Sequence, residues 1–302
     1  MKFSVLESLR SISAPVQAVV SDIDGLEDAI YQSEKNKPYW LNKNSIKQSS
    51  IARIHELNSL GKNSYHANIW KYGNSASYVN KLKDLLSDMF KVKKISNITI
   101  DISNVTGLSA SKAPLEDYCT MQQFVEKECR KYFELTEDSL NKNLAHQEIR
   151  ILHREKTSDH FKMYGWSDKL FLSNGGGSHH FASAQYIAKH LSINIPITGE
   201  MILHHLHEEG LLKFLKTFSS LLVPFSDFCF LNHKFKHSGQ HFLFYQSPSL
   251  PAETVILFYK HVDLSCSIDS LLKDRFTDFN KELIKFYNLQ KTNAQFQRYM
   301  AE

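Results

Sequence analysis

The sequence predicts an α+β fold, and three observations carry the prediction. The 302 residues include only 11 glycines and 7 prolines, too few for the many tight turns of an all-β protein. Apolar residues recur at helical spacing over 77–90 and 178–191. Short apolar runs, alternating at 95–102 and 254–261 and continuous at 169–173, read as strands. Hydrophobic residues make up 42% and charged residues 23%, which allows a sizeable core and excludes a largely disordered chain.

In chain order, 1–35 reads as one or two helices with a short strand at Val19 and Val20. Residues 36–75 are polar loops with one helix near 51–60. Tyr78, Val79, Leu82, Leu85, Leu86, Met89 and Phe90 form one helical stripe, and Lys91, Lys93 and Lys94 suit the C-terminal end of that helix. Residues 103–115 carry Ser, Gly and Pro and mark a boundary. Residues 115–133 and 138–144 read as helices, 148–153 and 169–173 as strands, and 174–177 as a Gly-rich turn. Phe181, Ala184, Ile187, Ala188 and Leu191 give 178–191 its inner stripe. A short buried strand at 194–197 precedes a helix over 201–222, interrupted at Gly210. Strands at 228–234, 241–246 and 254–261 follow, and an amphipathic helix over 268–289 closes the chain. Three parts result: a mostly helical region 1–115, a core 116–200, and a β-rich α/β extension 201–302.

Charge and cysteine usage narrow the classes. Basic residues number 36 and acidic residues 32, a net charge of +4 that permits a nucleic-acid partner without demanding one. Cys119, Cys129, Cys229 and Cys266 form no CxxC pair, so neither a cysteine zinc site nor a disulfide framework is expected. Ser, Glu and Arg interrupt the first ten residues before a signal-peptide core can form. No apolar run nears the roughly 20 residues of a membrane span. The expectation is a cytoplasmic protein without a membrane partner.

The informative stretch is Leu172-Ser173-Asn174-Gly175-Gly176-Gly177-Ser178-His179-His180-Phe181-Ala182-Ser183-Ala184. Glycines let the backbone approach a ligand closely, and a helix starting directly after them aims its free N–H groups and its dipole at the turn. Ser178 is the expected helix cap and a second donor to phosphate. His179 and His180 add donors, and positive charge when protonated. Asn174, Gly175, Gly176, Gly177 and Ser178 are therefore the candidate ligand-binding residues, and Ser178, His179 and His180 the candidate catalytic ones.

Order and spacing here resemble the ParB/sulfiredoxin superfamily. Gly176-Gly177-Ser178-His179-His180 is similar to the Gly-Gly-Cys-His-Arg of sulfiredoxins, with Phe181-Ala182 and a downstream Ile195-Pro196-Ile197 in matching order. A helix over 140–146 running into Gln147-Glu148-Ile149-Arg150-Ile151-Leu152 resembles the helix-to-strand element upstream in ParB-like domains. The resemblance spans 136–201 and implies a turn that holds the phosphates of ATP or CTP. Two departures matter. Ser178 replaces the sulfiredoxin cysteine, which removes its thiol chemistry. His180 replaces an arginine, so the charge on the ligand becomes pH-dependent.

Other signals are weaker. Ser21-Asp22-Ile23-Asp24-Gly25-Leu26 resembles the nucleophile motif of haloacid-dehalogenase phosphatases, but Leu26 stands in place of Thr and no later acidic pair completes it, so a polar turn is the better reading. Glu200, His204 and Glu208, with His205, His207 and Glu209, are weak metal candidates, because i, i+4 His and Glu on one helix can ligate zinc. Glu148 and Asp168 flank the core strands and are acid/base candidates. His233, Lys234, Phe235, Lys236, His237, His241 and Phe242 form a basic-aromatic hairpin suited to nucleic acid, or to guarding an edge strand.

The leading expectation is a nucleotide-binding protein with phosphoryl chemistry at the turn, an ATPase, nucleotidase or kinase-like enzyme, with Mg2+ accompanying the nucleotide and no organic cofactor. The alternatives are a nuclease or nucleic-acid-binding protein using the same pocket, and a non-catalytic interaction module. By analogy, a divergent, Lys- and Asn-rich member suits a bacterial or phage conflict protein.

Overall fold

A computed structural model describes residues 28, 30–31, 44–60, 68–71, 75–229, 231, 242–246, 254–260 and 266–302. The fold is α+β, and the described residues belong to two units, each built from separate pieces of sequence. One takes in the described residues of Met1–Tyr39, Glu56–Met89 and Glu209–Leu283, the other those of Trp40–His55 with Phe90–Glu208 and Ile284–Glu302. The consecutive parts 1–115, 116–200 and 201–302 do not follow this interleaving. The expected boundary at 103–115 lies inside one unit and carries one of its strands.

The first unit holds an antiparallel sheet of β1 (Asn68–Lys71), β7 (Phe218–Pro224), β8 (Phe242–Gln246), β9 (Thr254–Lys260) and β10 (Thr277–Asp278), ordered β1-β8-β9-β7-β10. Its central strands read Phe-Ser-Ser-Leu-Leu-Val and Thr-Val-Ile-Leu-Phe-Tyr, buried on both faces. Leu221, Val223, Phe244, Val255, Leu257, Ile268 and Leu272 share its core.

The second unit holds β2 (Phe90–Asp101), β3 (Gly107–Leu108), β4 (His160–Tyr164), β5 (Leu170–Ser173) and β6 (Pro196–Leu206), ordered β2-β6-β4-β5-β3. β2 and β6 are antiparallel from Phe90↔Leu206 to Asp101↔Pro196, with a bulge between Ile95 and Ile98. Asn97 takes a φ of 57° there, a conformation asparagine tolerates better than most residues. β6 runs parallel to β4, and β4 antiparallel to β5. The helix Ser178–Leu191 packs Phe181, Ala184, Ile187 and Ala188 into a core shared with Phe161, Met163, Leu172, Met201 and Leu203. This packing fixes the turn between β5 and the helix.

Several sequence expectations are corrected. Residues 148–153 are a turn followed by the short helix Arg150–His153, not a strand. Ile149 and Ile151 are both buried, which mimics strand alternation, but β4 already occupies the slot between β5 and β6. Residues 201–222 are not one helix: Met201–Leu206 completes β6, Glu208–Thr217 is helical, and β7 follows. Residues 115–133 break into Leu115–Asp117, Met121–Glu128 and Arg130–Tyr132, with Thr120 and Gln123 closing a capping box that starts the middle helix. Phe228 and Cys229 are helical, and 268–289 is split by β10 into Cys266–Arg275 and Phe279–Thr292. Val19 and Val20, the 21–26 motif and the basic residues of the 233–241 hairpin lie outside the described residues. Among the described residues, no helix is long and apolar enough to cross a membrane.

Candidate functional site

β5 delivers the chain to Asn174, whose amide is fully engaged in holding the turn. Its Oδ1 accepts from the N–H groups of Ser109 and Ala110, both at 3.2 Å, and its Nδ2 donates to the carbonyls of Ala110 and Gly176, both at 3.0 Å. Gly175 N donates to Asp159 Oδ1 at 2.8 Å. Gly177 then takes a φ of 66° and stands as the N-cap of the helix, with no side chain capping it. Ser178 is thus the first helical residue rather than the expected cap. The first amide bonded back into the helix is that of Phe181, to Gly177 O, which leaves the N–H groups of Ser178, His179 and His180 open.

These groups border a cavity of about 450 Å³ lined by the glycines, Ser178, His179 and His180 from the turn, and by Ser111, Lys112, Tyr132, His146 and Glu148 from neighbouring loops. Ser178 Oγ donates to Ser111 Oγ at 3.1 Å. Burial, its largest cause, pulls the His179 imidazole below its usual pKa, against the pull of Glu128 and with the help of Lys131 and Lys112. Burial also lowers His180, reinforced by His146 and opposed by Glu148. Burial thus opposes the protonated form of both rings and moves any positive charge they bring further into acid.

His180 is held in one tautomer. The buried Asn143 donates through Nδ2 to the carbonyls of Tyr132 at 2.7 Å and Ser139 at 2.9 Å, which fixes its Oδ1 as an acceptor. His180 Nδ1 lies 2.9 Å from that oxygen and must be the donor. In the neutral ring, Nε2 then carries the lone pair. His146 stacks on the ring at 3.6 Å and 14°, and Tyr132 meets it edge-on at 4.9 Å, so its orientation is locked as well.

A guanidinium lies behind the glycines. A Cβ on Gly175 would overlap Arg150 Nη1, and one on Gly176 would lie 3.8 Å from Nη2. Arg150 Nε is shut off from solvent without an acceptor, and Asp159 Oδ2 without a donor. The Asn143, His146 and Arg150 contributions escape sequence reading because they come from a different helix and loop, with no local spacing that ties them to the turn. Glu148 was a candidate and does line the cavity.

The remaining candidates sit elsewhere. Asp168 lines a separate cavity of about 500 Å³ with Trp166, Lys169 and Asn293. Glu200 pairs with Lys94 at 3.7 Å on the surface. His204 is buried on β6 with its ring 4.0 Å from His55 and stacked 5.1 Å from Tyr164. Glu208 accepts from the Tyr287 hydroxyl. Because His204 and His205 are strand neighbours, their side chains take opposite faces, and the helical i, i+4 pattern they suggested does not exist. Among the described residues, no three His, Cys, Asp or Glu side chains converge as metal ligands.

Comparison with curated proteins and with solved structures gives no match. A family model does match, over residues 95–296, a span that includes the turn, both histidines, Asn143 and Arg150, and covers well over half of the chain. The chain belongs to the Family of unknown function (DUF6685).

Proposed function

We propose that this protein binds a phosphorylated small molecule, a nucleotide foremost, at the Gly175–Gly177 turn, and that His180 acts there as the proton acceptor in phosphoryl transfer or hydrolysis. The observation that carries the reading is the Asn143-bound His180, which lines the same cavity as an uncapped helix N-terminus. Open N–H groups and the helix dipole favour phosphate oxygens. The hydroxyls of Ser111 and Ser178 add donors. A neutral imidazole with a fixed free nitrogen takes the proton from an attacking water or alcohol as its oxygen bonds to phosphorus, while the P–O bond to the rest of the ligand breaks and that oxygen leaves with the electron pair. The same arrangement supports kinship of the turn and helix with ParB/sulfiredoxin-like phosphate sites.

Glu148 alone does not make a magnesium cage. A magnesium ion would enter with the nucleotide, held chiefly by its phosphates.

The test is a thermal-shift screen of nucleoside mono-, di- and triphosphates with the full chain, with and without Mg2+. Binding raises the melting temperature by mass action. A rise for at least one phosphorylated ligand is expected, together with turnover that His180→Ala abolishes while its circular dichroism stays that of the parent. No rise for any of them at millimolar concentration overturns the reading.

A further inference from the structure

We propose that a second ligand site lies at the other end of the helix Ser178–Leu191 from the glycine turn. It takes a small dianion, a dicarboxylate or a phosphate monoester, that carries a hydroxyl or amine beside its charge.

The site is a cavity of about 560 Å³ bordered by the last two turns of that helix, by Lys169 just before β5, and by the stretch that opens the helix Met121–Glu128. It shares no lining residue with the cavity at the glycine turn. The described residues lining it include Lys169, Lys189 and His190 and no acidic side chain. Lys169 Nζ donates to the carbonyl of Cys119 at 3.2 Å, which holds the ammonium at the cavity. Lys189 is exposed and forms no ion pair among the described residues. His190 is held by Nδ1, 2.8 Å from the carbonyl of Tyr186. Glu126 lies outside the lining, and its carboxylate already accepts from Gln122 Nε2 at 2.7 Å and the Tyr186 hydroxyl at 3.2 Å.

Positive charge alone suits any anion, and the amide of Gln185 narrows the class. Gln185 is 4% exposed and lines the same cavity. Its Nε2 donates to the carbonyls of Ser103 at 3.3 Å and Val105 at 3.2 Å, which fixes the amide and makes Oε1 the acceptor. No donor meets that oxygen among the described residues. An acceptor on so buried a side chain normally has a partner, and a hydroxyl or amine on the ligand supplies one. Two ammonium groups and one fixed acceptor thus select two negative charges with a donor beside them. Buried Met121 and Tyr186 give the cavity an apolar wall.

A groove filled by water alone is the competing account, and calorimetry on the full chain separates the two. Malate or glycerol 3-phosphate should bind at millimolar concentration or below, and the tighter of them identifies the anion. Its hydroxyl-free counterpart, succinate or propyl phosphate, should bind about tenfold more weakly. Lys189→Gln, a change at an exposed position, should weaken binding by about fivefold or more. Cys119 is exposed and lines the cavity, so its alkylation by iodoacetamide, read by mass spectrometry, should slow in the parent when that ligand saturates. The inference is overturned if neither compound binds, if the hydroxyl-free counterpart binds equally well, or if Lys189→Gln and the alkylation rate both stay unchanged. Because the two cavities share no residue, the glycine-turn reading stands or falls separately.

Discussion

At Gly177 a methyl group would sit 2.7 Å from the carbonyl carbon of Glu148, and the φ of 66° would strain any other residue. At Gly176 the nearest atom to such a methyl is 3.6 Å away, an ordinary contact. Gly177→Ala should therefore lose stability, on the order of 1–3 kcal/mol, while Gly176→Ala unfolds close to the parent temperature. Equal melting temperatures for the two variants would remove the steric account of the turn. His180 makes a second prediction. Its folded pKa is lowered, so the neutral base is present above about 6.5 and is lost only further into acid. A rate that depends on it should be flat through neutral pH and fall on the acid side, with a midpoint below 6.5. In 15N NMR at pH 7.5 its Nδ1 should be protonated and its Nε2 bare, and Asn143→Ala should blur that preference. The Gly-Ser-His-His run was legible in sequence because it is contiguous. Asn143 and Arg150 were not, since nothing local distinguishes a helix asparagine or a solitary arginine from solvated surface.

At the scale of elements, the helix Ser178–Leu191 was readable to the residue, because its stripe, its preceding glycines and its following polar turn all agree. Ser192 ends it with a φ of 55°, donating to the carbonyls of Ala188 and Lys189. The stretch 201–222 misled because two buried strands flank a short helix, and a fully buried apolar run carries no period to separate strand from helix. Gly210, taken as a helix interruption, is an ordinary helical position in Glu208–Thr217 whose missing side chain serves packing: a Cβ would overlap Asp88 O and lie 2.6 Å from Met89 N. Alanine usually stabilises a helix interior over glycine by up to about 1 kcal/mol. Gly210→Ala should reverse that sign and lower the denaturation midpoint, since the obstacle is backbone. A midpoint equal to or above the parent value would show that the Asp88 backbone gives way.

For the molecule as a whole, the α+β class was correctly inferred from composition and period, whereas the interleaving of the two units was not. Strand partners such as Phe90 and Leu206 are far apart in sequence, and pairing at that distance leaves no local mark. Acid stability is a property at this scale. Burial, followed by Lys162 and Arg53, holds His55 down to about 4, and burial, followed by His55, holds His204 down to about 3. Folded pKa values below the unfolded 6.5 mean that the native state binds fewer protons, so this stability is complete above about 6.5 and is lost as pH falls toward 4. The melting temperature should drop across that window. His204→Phe, which keeps an aromatic ring beside Tyr164, should flatten the drop; an unchanged acid slope would show that His204 does not govern it.

The helix Ser75–Met89 hands directly to β2, and β6 hands to the helix Glu208–Thr217, with Phe90 facing Leu206 and Gly210 resting on Asp88. A chain that leaves at 89 thus re-enters beside its own exit. Chain ends this close can be bridged by a short linker, while Trp40–His55 and Ile284–Glu302 stay with the unit that 90–208 builds.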